Sequence, residues 1–162
     1  MRTSGLDFDE YFVEQWPKLV SELDFILGST DLARDVAQDA FIRQYVSWAR
    51  LSRYDKPGAW VRKVALRIAF RARKNAFRST SIEAAEQLAA EPIDVDRATD
   101  VREAIKLLSP SQRTAIVLHY YRDLPVSEVA SAMGCKESTA KAHLFQARKR
   151  LAQTLAAYAP PK

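Results

Sequence analysis

Apolar residues recur at spacings of three and four in one segment after another along the chain. That is the period of helices packed through one face. The first such segment runs through Tyr11, Phe12, Trp16, Leu19, Val20, Leu23, Phe25 and Ile26 to Gly28, with Asp7 or Asp9 as its cap. Pro17 is expected to kink or divide it. After the break at Gly28-Ser29-Thr30, Asp31 is placed to start a second helix over about Leu32 to Trp48. One wide face of it (Val36, Ala37, Ala40, Phe41, Gln44, Tyr45, Trp48) suits a core. A second stripe combines Asp35, Gln38, Asp39, Ile42 and Val46. That stripe is either a solvated face with two stray apolar residues or a docking face for a basic, partly apolar groove, and the segment alone does not choose.

Leu51 to Pro57 reads as a short polar loop, with Asp55 as a cap and Pro57 opening a third helix that runs from Gly58 to about Asn75 or Arg78. Trp60, Val61, Val64, Ala65, Ile68 and Ala72 are its apolar positions. Lys63, Arg67, Arg71, Lys74 and Arg78 make a basic rail, flanked by Arg62 and Arg73. A fourth helix starts at Thr99 or Asp100, with Val101, Ala104, Ile105 and Leu108 apolar. Ser109-Pro110 then caps and opens a fifth, through Ala115, Ile116, Leu118 and Tyr120 to Tyr121.

The stretch from Leu124 to Leu155 is the most informative. Val126, Val129, Ala130 and Met133 form a short apolar stripe behind Pro125, and Gly134 can take the left-handed conformation that ends a helix. Cys135 and Lys136 make a turn. Ser138 or Glu137 opens a last helix with Ala140, Leu144, Ala147, Leu151 and Leu155 on its buried side and Lys141, His143, Arg148 and Lys149 facing away or flanking. A small residue, a glycine, a short turn and a basic second helix form the helix-turn-helix signature, in which the second helix enters a DNA major groove.

Composition narrows the class. Scarce glycine and no strand signal give an all-α chain of two small helical domains joined by a linker, the second domain being the helix-turn-helix. The expected boundaries are 1–78, 79–98 for the linker and 99–159. The formal charge is +5, which suits a polyanionic partner, and its distribution is sharper than its sum. From Arg50 to Arg78 there are ten basic residues and one acidic, Asp55. From Ser79 to Ala98 the sign reverses, with Glu83, Glu86, Glu91, Asp94 and Asp96 against Arg97. A rail of like charges opposes its own helix, so a phosphate backbone explains it better than folding stability does. Trp48, Tyr54 and Trp60 near its start suit melted or single-stranded nucleic acid, although Trp48 and Trp60 individually are better read as core. The single cysteine, Cys135, fits a reducing compartment. No apolar run is long enough for a signal core or a membrane span, so the expected location is cytoplasmic. There is no phosphate loop, no metal-spaced His or Cys cluster and no nucleophile beside a base. No enzyme activity, catalytic residue, cofactor or metal is therefore expected.

The chain resembles a bacterial RNA polymerase sigma factor of the extracytoplasmic-function group, sigma-70 family, with sigma-2 and sigma-4 domains. DLARDVAQDAF is similar to the acidic and glutamine pattern of the sigma-2 domain, and PGAWVRKVALRIAFRARK to its promoter-melting helix. LSPSQRTAIVLHYYRDLPVSEVASAMGCKESTAKAHLFQARKRL is similar to the sigma-4 domain. The resemblance implies a transcription initiation factor that binds the β and β′ subunits of core polymerase and promoter DNA. It also implies an anti-sigma factor as a partner common in the family. It puts core binding on Asp35, Gln38, Asp39 and Ile42. Minus-ten binding falls on Arg53, Trp60, Arg62, Lys63, Arg67, Arg71 and Lys74, and minus-thirty-five binding on Lys136, Glu137, Ser138, Lys141, His143 and Arg148. Where the family often has T-V-K-S-R-L, this chain has Thr139-Ala140-Lys141-Ala142-His143-Leu144, so the promoter sequence it reads is its own. The competing reading is a stand-alone helix-turn-helix regulator, which leaves the rail and the second-helix stripe without a purpose.

Overall fold

The computed structural model describes residues 6–79 and 101–156, with side-chain surroundings for 6–72 and 101–156. Every regular element among them is helical, as expected. The chain divides into two compact units, Met1–Phe70 and Arg71–Lys162. The expected linker lies outside the described residues save for Ser79, as do Thr99 and Asp100.

In the first unit α1 is Phe8–Leu27. Asp7 caps it, its carboxylate accepting from the Asp9 N–H at 3.4 Å. Gly28 ends it at φ 69°, its N–H bonded to the Asp24 carbonyl. Pro17 neither divides the helix nor ends it. Pro17 and Val13, whose carbonyl it leaves without a donor, are both exposed, so water can take that bond. α2 is Thr30–Val46, capped by Ser29, which accepts from the Leu32 N–H at 3.3 Å, and not started by Asp31. Trp48 belongs to a separate turn, α3, Trp48–Leu51. Leu51, expected in a polar loop, is fully buried, and Tyr45, expected in the core, is 64% exposed. α4 is Pro57–Ser79.

Ala33, Ala37 and Ala40 are fully buried where α2 packs on α1, and Leu23, Ile26 and Leu66 fill the centre. Two polar ties join α4 to this pair. Gln44 Nε2 donates to the Tyr11 hydroxyl (3.1 Å) and to the Pro57 carbonyl (2.9 Å). The second tie is a salt bridge: Arg62 Nε donates to Glu22 Oε1 at 2.6 Å, with side chains 12% and 2% exposed. Glu22 was not among the expected core residues. Arg62, expected among the DNA-facing cations, is paired with Glu22 in this structure. It precedes Ala65, Leu66 and Ala69 by three, four and seven residues, so it lies on the packed face.

The second unit contains α5 (Val101–Lys106), α6 (Pro110–Ile116), a wider π turn (Val117–Tyr121), α7 (Val126–Met133) and α8 (Glu137–Ala156). Ser109 and Gln112 form a reciprocal capping box at the start of α6. Arg113, 5% exposed, donates to the carbonyls of Ile105, Lys106 and Leu108 at 3.1, 2.7 and 3.1 Å. It thus satisfies the end of α5 from inside the core, a role its sequence position did not announce. Pro125 stands one residue before α7 and does not open it, and Gly134 ends α7 at φ 68°. Ala140, Leu144 and Ala147 seat α8 on the core, while Leu155, expected inside, is 40% exposed.

Removing one partner of a buried pair strands the other charge. Glu22→Ala should therefore lower the unfolding free energy by about 3–5 kcal/mol, and Arg62→Met in that background should recover part of it. Urea unfolding checks this, and a loss under about 1 kcal/mol would be that of an exposed pair instead. Burial pushes the Tyr11 phenol above its ordinary range, against the lowering pull of the Gln44 bond and of Arg62. The unfolded phenol ionises first as pH rises. The stability Tyr11 contributes is therefore full below pH about 10 and lost as pH climbs through the higher folded value. Melting temperature followed against alkaline pH should fall less steeply in Tyr11→Phe.

Candidate nucleic-acid interface

The helix-turn-helix is built from α7 and α8. Val129 and Ala130 are buried beneath α7, and the Cys135 N–H bonds the Ala130 carbonyl at 3.0 Å across the Gly134 turn. His119 in the π turn donates from Nδ1 to the Leu124 carbonyl at 2.8 Å, which fixes the approach to α7. On α8, Lys136, Glu137, Ser138 and Lys141 are exposed at and beyond the helix start. His143 is half-buried. It follows Lys141 by two residues, about 200° around a helix, so the two do not share a face. Arg148 is exposed, and its Nε donates to the Tyr120 hydroxyl at 2.5 Å with the guanidinium 5.5 Å from the ring centre.

One residue of this face was missed. Phe145 is 61% exposed, four residues from both Lys141 and Lys149. It sits on the outer arc with Ser138, Lys141 and Lys149. An exposed aromatic there can meet a thymine methyl. Counting in steps of three and four from Ser138 would have found it.

Along α4 and the turn before it the cations separate into two kinds. Arg53, Arg67 and Arg71 are exposed, and Lys63 and Trp60 are half-buried. Arg62 is held inward on Glu22. The Lys74 backbone is helical, but its side chain lies outside the described residues. Lys63, Arg67 and Arg71 run along the side of α4 opposite Val61, Ala65, Leu66 and Ala69. Trp48 is core-like, with its ring 4.8 Å from Tyr11 and its Nε1 donating to the Leu6 carbonyl at 2.9 Å.

Asp35, Gln38, Asp39 and Ile42 share one exposed face of α2, extended by Val46 at 80% exposure. Beside it a cleft of about 520 Å³ opens between α1 and α2. Phe12, Trp16 and Phe41 form its floor, and Arg34, Gln38, Ile42 and Tyr45 its α2 side. No group of three or more His, Cys, Asp or Glu among the described residues is arranged to hold a metal ion, and no described helix is long and apolar enough to cross a membrane.

The Sigma-70, region 4 family model matches residues 98–151, the span of the second unit's helices. The RNA polymerase sigma-E factor of Streptomyces coelicolor is 28% identical over 160 residues, covering 94% of this chain and 88% of that protein. RNA polymerase sigma factor SigV of Bacillus subtilis is 27% identical over 121 residues, covering 74% and 73%. Among solved structures, the sigma factor RpoE in complex with the anti-sigma factor NepR, from Bartonella quintana, aligns at a TM-score of 0.74 and 21% identity, over 93% of this chain and 97% of that one. That last likeness speaks for the fold. With a Sigma-70, region 4 match over its helix-turn-helix and RNA polymerase sigma factors aligned along nearly its whole length, this chain is similar to the RNA polymerase sigma factors.

Proposed function

We propose that this chain is a transcription initiation factor that binds core RNA polymerase through its β and β′ subunits, directs it to particular promoters and helps to open them. The observation that carries the proposal is the face of α2. Asp35, Gln38, Asp39 and Ile42 stand exposed together, a surface that a stand-alone DNA-binding regulator has no use for. Acidic groups beside exposed aliphatics suit a basic helical partner with an apolar seam. Lys63 and the exposed Arg67 and Arg71 of α4, with Arg53 and Trp60 near its start, are assigned to the minus-ten region. Electrostatic capture of the backbone there would leave bases free to stack or be held. Lys136, Glu137, Ser138 and Lys141 at the start of α8 are assigned to the minus-thirty-five region, since a recognition helix reads base edges from its N-terminal turns. RpoE of Bartonella quintana was solved with an anti-sigma factor, and a protein of that class is proposed as a partner here. Work of this kind takes place in the cytoplasm, and its chemistry belongs to the polymerase.

The deciding experiment is capture of core RNA polymerase by the full chain, followed by run-off transcription on fragments of the source genome. New, promoter-specific transcripts are expected. DNA binding without polymerase capture would favour the stand-alone regulator. Asp39→Lys should weaken polymerase capture at least tenfold, about 1.4 kcal/mol, and leave DNA binding by the free chain unchanged. Equal loss of both would remove the role given to the α2 face. Lys141→Ala should reduce discrimination between promoters in competitive run-off assays, and unchanged discrimination would take Lys141 out of the reading set.

A further inference from the structure

Arg148 lies eleven residues beyond Glu137 on α8, about 16 Å along the helix axis. The DNA major groove is about 12 Å wide. When the first turns of α8 lie against base edges, Arg148 has therefore passed the groove wall and stands at the sugar-phosphate backbone. Tyr120 holds this side chain in two ways. Its hydroxyl accepts from Nε, and its ring lies under the guanidinium. The terminal nitrogens of Arg148 have no other partner among the described residues, so both remain for an anion.

Tyr120 is presented by the π turn Val117–Tyr121. The tighter helix of α6 widens there, shifting the phase of the residues that follow, and such turns recur at functional sites. His119, the preceding residue, packs its ring edge-on to Tyr120 with centres 4.8 Å apart and is itself anchored to the Leu124 carbonyl. The phenol is thus positioned by a ring at its side and by the backbone geometry beneath it. Arginine has long, rotamer-rich side-chain freedom, and a fork fixed in advance loses less on meeting a phosphate.

We propose that Tyr120 is a positioning residue that holds Arg148 ready for one DNA phosphate at the edge of the recognition helix, making Arg148 a backbone contact and not a base reader. The proposal rests on the DNA-binding reading of α8.

The test is a double-mutant cycle on the full chain, with binding to a mixed-sequence DNA duplex measured over a salt series by fluorescence anisotropy. Arg148→Ala should weaken binding and lower the slope of log affinity against log salt by about 0.9, the signature of one phosphate. Tyr120→Phe keeps the ring and loses the acceptor, and should weaken binding about threefold in the parent and not at all in Arg148→Ala, because it acts through that residue. Thermal melting of each variant separates folding from positioning. Additive losses, or a Tyr120→Phe loss that tracks melting temperature alone, would overturn the positioning role. An Arg148→Ala chain with unchanged salt slope would overturn the phosphate contact while leaving Lys141 and the DNA reading intact. Failure of the parent chain to bind the duplex at low salt would overturn both.

Discussion

The first unit depends on tolerating a helix whose own charges resist it. α4 carries Arg62, Lys63, Arg67 and Arg71 and has no acidic residue along its length. Repulsion between like charges at helical spacing is modest per pair but accumulates, so α4 has to be held by its surroundings. Val61, Ala65, Leu66 and Ala69 supply the apolar grip, and Glu22 neutralises Arg62, which faces inward. Arg67 and Arg71 face outward.

The second unit solves a different problem with the same residue type. Its helices are short, so many carbonyls at helix ends require donors. Arg113 spans three of them at the end of α5 from within the core. Ser109 and Gln112 close the start of α6, and His119 secures the entry to α7. These bonds tie together the helices on which α8 packs, and α8 itself buries little more than Ala140, Leu144 and Ala147. The small alanines let α8 sit close while most of its circumference stays exposed. Surface that a helix offers to a partner is surface it cannot use for folding.

Arginine therefore plays three parts in one small chain. It is a buried counter-ion in Arg62, a carbonyl clamp in Arg113 and a surface cation in Arg67 and Arg71. A charge count treats these alike. What separates them is helical phase and the presence of a partner at the right distance, and only the first of these can be counted along the chain.

Helix existence, the cap at Ser109, the glycine stops at Gly28 and Gly134 and the helix-turn-helix were legible because each depends on neighbours within a few residues. So was the shared face of Asp35, Gln38, Asp39 and Ile42, which follows from the helical period. The inward side of Arg62 is readable from its helical phase, but its partner is not. What lay beyond reach were pairings across long separations. Glu22 meets Arg62 forty residues on, Gln44 meets both Tyr11 and Pro57, and Arg148 meets Tyr120 twenty-eight residues back. The sequence by itself determined the helices and most of their apolar faces, since those rest on local period and residue type. Tertiary structure alone decided which cations are bound within the protein, because a salt bridge or a stacked guanidinium exists only where two distant segments have been brought within a few ångströms.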